Sequence, residues 1–534
     1  MLVSSRRSSA QAAMEAAAAD GGNSILILRE YKFHQVLAHA GEGAVDERKR
    51  LFIGGVWTSP SGDGVIDVIS PHTEKPIAAV AAAGPADVDR AVAAARRAQD
   101  EGSWPGQDPA ERVAAVRRLA ELYRPRRREM AQLITAEMGS PISFSKFSQA
   151  GLPMMLLDAF ADIASRFPWE EIRPGVFGQD ILVRREPGGV VAAIVPWNVP
   201  LFLVVGKLAP ALLAGCSIVI KPAPETPLDA LLFAEVIEAA GLPPGLVSIL
   251  PGDGAVGEAL VNHPGVDRVS FTGSTAVGRR IAAACGASLK KVSLELGGKS
   301  AAIVLDDADP STVAQGVKLA GLMNNGQACV AQTRILVPAA RQNEFIDALA
   351  AMVEQLVVGD PADPATDIGP LVARRQRERV RSYIEDGRRE GARLVIGGTD
   401  PPAGAACGWY VRPTLFADAD NRMKIAREEI FGPVLTVIPY RDDDDAVRIA
   451  NDSDYGLSGS VWTADATRGL ALARRVRTGS FGINQPYSMD PAAPFGGVKA
   501  SGIGRELGRE GLEAYVDLKV ISGAGRLEPV SPVE

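Results

Sequence analysis

Cys329 stands in the stretch Asn-Asn-Gly-Gln-Ala-Cys-Val-Ala-Gln-Thr-Arg, residues 324–334, between small neighbours and just after a Gly and a Gln. A thiol so placed is open to a small electrophile, and backbone amides can come close to whatever it attacks. The nucleophile is the thiolate, and a free cysteine titrates at about 8.5, so the surroundings must help it ionise. Leu294-Glu295-Leu296-Gly297-Gly298-Lys299 puts a carboxylate inside an apolar strand. Burying it is costly unless it is paired or its pKa rises. A raised pKa suits a general base; a salt bridge to Lys299 is the structural alternative. Pro196-Trp197-Asn198 follows an apolar run, where an Asn amide can donate to a developing oxyanion or cap the next helix.

Lys221 closes another apolar run, in Ile220-Lys221-Pro222, within reach of a ribose hydroxyl or phosphate, or simply solvated. Phe271-Thr272-Gly273-Ser274-Thr275-Ala276-Val277-Gly278 lies between a strand and a helix, where glycines let an anion approach helix N–H groups. It is not the Gly-x-Gly-x-x-Gly fingerprint, and a tight turn without a ligand reads equally well. Glu429, before Ile430-Phe431-Gly432-Pro433, suits a ribose ligand or a cap. The histidines, at 34, 39, 72 and 263, all lie outside the half that carries Cys329, so a Cys–His protease is disfavoured and the base is a carboxylate or lysine.

The elements that must position these groups alternate. Strands are expected at 190–195, 217–220, 247–250, 269–272 and 292–296, with helices at 201–214, 228–240, 255–262 and 278–285 between them. Continuous apolar strands joined by helices are the signature of a doubly wound α/β domain, whose ligands sit at the carboxyl ends of the strands. The same alternation returns over residues 301–455, with strands at 301–305, 334–337 and 393–396 and helices at 310–323, 342–357 and 373–390. Before these come a short hairpin at 51–57 and helices at 87–99, 111–135 (disturbed at Pro125) and 154–166.

The chain has 534 residues, a formal charge of -7, 46% hydrophobic and 23% charged residues, as in globular proteins. Mild acidity gives no reason to expect nucleic acid or an anionic membrane as partner. Cys216, Cys285, Cys329 and Cys407 are scattered, which argues against disulfides and zinc and for a reducing cytoplasm. Residues 1–48 read as an extension, basic at first and then mixed; a transit peptide is the functional alternative to a plain tail. Its one apolar run, Ile25-Leu26-Ile27-Leu28, is too short to span a bilayer.

Taken in order, Pro196-Trp197-Asn198, Lys221-Pro222, Phe271-Thr272-Gly273-Ser274, Leu294 to Lys299, Gly326-Gln327-Ala328-Cys329, Glu429 to Pro433 and Pro494-Phe495-Gly496-Gly497 resemble the NAD(P)-dependent aldehyde dehydrogenase superfamily, from about Leu51 to Ile521. The resemblance implies two doubly wound α/β domains plus an oligomerisation β-hairpin. Residues 49–167 and 187–297 would form the cofactor domain and 298–500 the catalytic domain. Residues 168–186 and 501–534 would form the arm and C-terminal segment, in a homodimer or homotetramer. It makes Cys329, Glu295, Asn198 and Lys221 the catalytic set. Pro196, Trp197, Lys221, Gly273, Ser274, Gly278, Leu296, Glu429 and Phe431 would hold the cofactor; no metal is implied. By similarity, Cys329 attacks an aldehyde and Asn198 with the Cys329 N–H holds the oxyanion. Glu295 then activates the water that hydrolyses the thioester.

Relatives that pass the acyl group to coenzyme A typically lack this acid, so hydrolysis is favoured. A coenzyme A-acylating enzyme and a non-catalytic cofactor-binding relative are the rivals. Many NAD-preferring relatives carry Glu where this chain has Pro224, with Glu225 one place late; NAD is expected, with NADP also admitted. Residues 152–167, with Met154, Met155 and Phe160, and Ala328, Val330, Gln485, Tyr487 and Met489 would face a hydrophobic aldehyde. The apolar stripe on the 154–166 helix reads also as plain core, the commoner meaning of such a stripe.

Overall fold

The computed structural model describes residues 46–405, 407–486 and 489–523. The expected extension, apart from the short strand Asp46–Arg48, and Tyr487 lie outside the described residues.

The alternating apolar runs form an eight-stranded sheet. Its inner strands are Val190–Ile194, Ser217–Lys221, Val247–Ile249, Arg268–Thr272 and Lys291–Glu295. They are parallel, with Ile194 level with Lys221, and Thr272 level with Glu295. Register alone therefore brings the ends of the first, second, fourth and fifth of these strands to one edge. The hairpin Leu51–Ile53 and Val56–Thr58 closes one side of the sheet, and Gly502–Ile503 adds an antiparallel strand beside Lys291–Glu295 on the other. Helices Pro109–Tyr123, Gly151–Ser165, Pro200–Leu213 and Leu228–Ala240 cover one face with a shared apolar core that includes Phe160. Phe160 is fully buried, so at that position the helix stripe is core.

A seven-stranded sheet follows, built on Ala301–Val304, Arg334–Pro338, Thr414–Ala417, Val434–Tyr440 and Gly459–Trp462, all mutually parallel where they pair. Arg334 pins it centrally. Its guanidinium is buried and donates to Lys299 O, Asn421 Oδ1, Ile449 O and Ala450 O at 2.9–3.0 Å. The link between the two sheets is the short segment from Glu295 to Ala301.

Glu170–Pro174 and Asp180–Pro187 form a hairpin, and Val516–Ser522 pairs antiparallel with the second strand from Val516↔Pro187 to Ser522↔Ile181. Val176, Phe177, Leu518 and Val520 are exposed on this three-stranded arm. Among the described residues no helix is long and apolar enough to cross a membrane.

Candidate active site

Cys329 is half-buried on a loop whose backbone is unusual before it. Asn324, Asn325 and Gly326 have φ of 54°, 62° and 72° in succession. Asn tolerates the left-handed region better than other side chains because its short amide can bond locally. Here Asn325 donates to Gly139 O and Pro370 O at 2.9 Å and accepts from Gly369 N at 2.7 Å, so the turn is held from three sides. Gly326 leaves no room for a side chain: a β-carbon would stand 2.3 Å from Gly432 backbone.

Asn198 ends the link after the strand Val190–Ile194. It does not cap the following helix, Pro200–Leu213, which has no side-chain cap. Its Nδ2 donates instead to Gln327 O at 3.1 Å, which ties it to the Cys329 loop. Glu295, at the end of its strand, is buried. Neither carboxylate oxygen has a hydrogen-bond partner among the described residues, and no salt bridge joins it to Lys299. Burial first, and the Glu506 carboxylate second, raise its pKa well above the carboxylate range, against the opposite pull of Lys207 and Arg505. Lys207 and Glu506 form a buried ion pair, and Lys207 also donates to Ser270 Oγ and Thr272 Oγ1 at 3.1 and 2.9 Å. This pair was missed in the sequence. The readable signal was Lys207 itself, a lone charge in the all-apolar helix Pro200–Leu213.

Gly297 and Gly298 bring the other groups in. A β-carbon at 298 would lie 2.5 Å from Cys329 O, and one at 297 would lie 2.4 Å from Glu429 Oε2. The Gly298 N–H donates to Glu429 Oε1 at 3.0 Å. Burial pushes Glu429 up to about 7. Burial, then Glu429, then Glu295 push the Cys329 thiol up to about 12. Both carboxylates thus add to the effect of burial on the thiol. Lys299 is buried, its Nζ has no partner among the described residues, and burial with Arg334 brings it down to about 7.

The remaining expected residues line the same sheet edge. Lys221 is buried; Nζ donates to Pro222 O at 2.9 Å and Gly252 O at 2.7 Å, and burial lowers it to about 8. An ammonium has three protons, so one is left for a ligand. Its stem lies over Gly257, where a β-carbon would be 3.4 Å away. Gly273 is followed by Ser274, which caps the helix Thr275–Ala287 by accepting from Val277 N at 3.5 Å. The helix starts earlier than the expected 278. Gly278 packs on Leu296, whose Cδ2 would be 2.5 Å from a β-carbon. Pro196 leads into Trp197, whose ring meets Phe431 edge-on at 5.3 Å. Glu225 pairs with Arg375. Gln485 is exposed, while Leu152, Met154, Ala328 and Met489 pack partly buried against the first core.

A buried acid, a thiol and an amide donor converge beside a helix N-terminus, a lysine and a carboxylate at the carboxyl edge of a doubly wound sheet. That combination defines a nucleophilic-cysteine oxidoreductase rather than a protease. The chain matches the aldehyde dehydrogenase family over residues 57–521. Geranial dehydrogenase of Castellaniella defragrans is 47% identical over 475 residues, 89% of this chain and 98% of that one. The crystal structure of Mycobacterium tuberculosis aldehyde dehydrogenase complexed with NAD+ superposes with a TM-score of 0.88 at 49% identity, covering 90% of this chain and 98% of that one. A mutant aldehyde dehydrogenase C from Pseudomonas syringae, complexed with NAD+ and octanal, gives 0.86 at 41% identity, covering 90% and 98%. The chain belongs to the aldehyde dehydrogenase family, and it is an oxidoreductase.

Proposed function

We propose that the protein oxidises a hydrophobic aldehyde to its carboxylic acid with NAD+, through a thioester on Cys329. The observation that carries this reading is Glu295, a buried carboxylate without a hydrogen-bond partner among the described residues and near enough to the Cys329 thiol to raise it. Cys329 adds to the aldehyde carbonyl as thiolate. The free N–H of Asn198 Nδ2 and the Cys329 N–H face the oxygen that becomes negative. Glu295, poised by burial as a base of raised pKa, takes a proton from the water that attacks the thioester.

The residues fit a dinucleotide. Lys221 keeps one N–H for the adenosine-side ribose, and the helix Thr275–Ala287 offers its first N–H groups to a phosphate behind Gly273. Trp197, Phe431 and Leu296 give apolar walls, and Glu429 accepts from ribose. When bound, NAD+ supplies the hydride acceptor. Relatives named for geranial and complexed with octanal support an apolar aldehyde. The exposed Val176, Phe177, Leu518 and Val520 support a homodimer or homotetramer through the arm. Two separate large sheets support a division into cofactor residues 49–167 and 187–297 and catalytic residues 298–500. The reducing cytoplasm suits an enzyme whose four cysteines are all free.

The test is NADH formation across aliphatic, aromatic and terpenoid aldehydes without coenzyme A, beside Cys329→Ala. Acid production that disappears in the variant is the expected result. Activity only with coenzyme A overturns the role of Glu295.

A further inference from the structure

The segment Ser145–Gln149, between Ile142–Phe144 and the helix Gly151–Ser165, is one turn of π-helix, closed by Ala150 N to Ser145 O at 2.9 Å. Such turns are rare and recur at functional sites because they swing one residue off the regular helical face. Here that residue is Gln149, which is fully buried. Its Nε2 donates to Asn198 O at 2.9 Å and to Asn324 Oδ1 at 3.5 Å. Asn324 Nδ2 donates to the same Asn198 carbonyl at 2.8 Å and to Gln327 O at 3.4 Å. Asn198 Nδ2 donates to Gln327 O at 3.1 Å.

Side-chain amides of three segments thus close on two carbonyls. A primary amide carries two N–H donors. Gln149 and Asn324 spend both; Asn198 spends one and keeps one. Gln149 also decides which way Asn324 faces. With a donor on that side, Asn324 turns Oδ1 to Gln149 and Nδ2 to the carbonyls. A flipped Asn324 would set its oxygen against both Asn198 O and Gln327 O. Gln149 itself holds this orientation although its own Oε1 is left buried without a partner among the described residues.

We propose that Gln149 is the positioning residue for the oxyanion donor: it fixes Asn198 and the Asn324 side of the Cys329 loop relative to each other. The proposal rests on reading Asn198 as that donor. Replacing Gln149 by Leu removes both donations and frees Asn324 to flip. Replacing it by Glu keeps the shape but sets a carboxylate against Asn198 O and Asn324 Oδ1, and only the protonated acid donates again.

The experiment uses the purified full-length enzyme with octanal and NAD+. It compares Gln149→Leu, Gln149→Glu, Asn198→Ala and the double variant Asn198→Ala with Gln149→Leu. Loss of a buried hydrogen bond at the reacting centre predicts a fall of about tenfold in kcat/KM for Gln149→Leu. NAD+ affinity, read by fluorescence titration, stays at the wild-type value. For Gln149→Glu the ratio of variant to wild-type activity rises as the pH falls from about 8 to about 5.5, because the acid form regains a donor. The double variant loses no more than Asn198→Ala alone.

A fully active Gln149→Leu, a pH-independent ratio for Gln149→Glu, or additive losses in the double variant each overturn the proposal. If Asn198→Ala itself turns over like wild type, the oxyanion reading falls and takes the proposal with it. If only the Gln149 variants are silent, the oxyanion reading stands.

Discussion

Gly298→Ala probes the close approach of the two backbones that carry Gly298 and Cys329. A β-carbon there would stand 2.5 Å from Cys329 O and 3.3 Å from Leu457 Cβ. Carbon–oxygen contacts settle at about 3.3–3.6 Å, so the two backbones must part by roughly 1 Å. Backbone strain adds nothing, because Gly298 is not among the glycines of positive φ. The same displacement acts on the Gly298 N–H, now 3.0 Å from Glu429 Oε1, and carries it beyond hydrogen-bond length. A misplacement of about 1 Å costs on the order of 10²-fold in rate. Overpacking costs about 1–3 kcal/mol, which lowers Tm by a few degrees and leaves the protein folded. The expected result is kcat/KM for octanal down about 10²-fold with KM for NAD+ raised, since Cys329 and Glu429 move together. Steady-state NADH formation reads both. Gly286→Ala is the control, because nothing lies within 4 Å of its added carbon. Wild-type kinetics for Gly298→Ala would refute the reasoning: the loop would then yield freely, and contact distance would not govern the site.

Other variants test the remaining groups. Glu295→Gln removes the base but not the nucleophile, so rapid mixing should give a burst of NADH followed by turnover slowed about 10²–10⁴-fold. Glu429→Gln removes a negative neighbour that raises the Cys329 thiol. Iodoacetamide should then label Cys329 faster, with its pH–rate curve shifted to lower pH. Glu429, raised from 4.5 to about 7, favours the folded state below 4.5 and loses that contribution as pH rises through 7. Lys299, lowered from 10.5 to about 7, gives a contribution that grows from pH 7 to 10.5. Thermal melts of Lys299→Met should therefore lack the alkaline rise and keep the acidic one. Pro224→Glu places a carboxylate where it repels a 2′-phosphate, so KM for NADP+ should rise at least about tenfold while that for NAD+ holds.

Cys329, Glu295 and Asn198 were legible because each is chemically out of place in its own neighbourhood: a thiol among small residues, an acid in an apolar strand, an amide at a strand end. The strands of the first sheet were legible because their apolar runs are unbroken and short. The start of the helix after Ser274 was not, because Thr275 and Val277 are β-branched and disguise its first turn. Glu506 and Gln149 were not legible for another reason. Glu506 sits in a polar stretch and Gln149 between the helices expected at 111–135 and 154–166; only folding brings the first to Lys207, 299 positions away, and the second to Asn198, 49 positions away. Lys221 was legible as the end of an apolar strand, but its two backbone acceptors come from turns that local pattern does not pair.

The strand Gly502–Ile503 borders Lys291–Glu295, and just beyond it Glu506 meets Lys207 and Phe495 exchanges two backbone bonds with Glu506. The base is thus seated by residues made some two hundred positions after it. On a ribosome the thiol, the amide donor and the acid all emerge before the segment that completes their edge of the sheet. The growing chain carries a nucleophile that has no finished oxidation site around it until residues 495–506 have followed. Long-range closure of this kind is slow, and here it makes completion of the oxidation site a late event in synthesis, although every reacting group is already present.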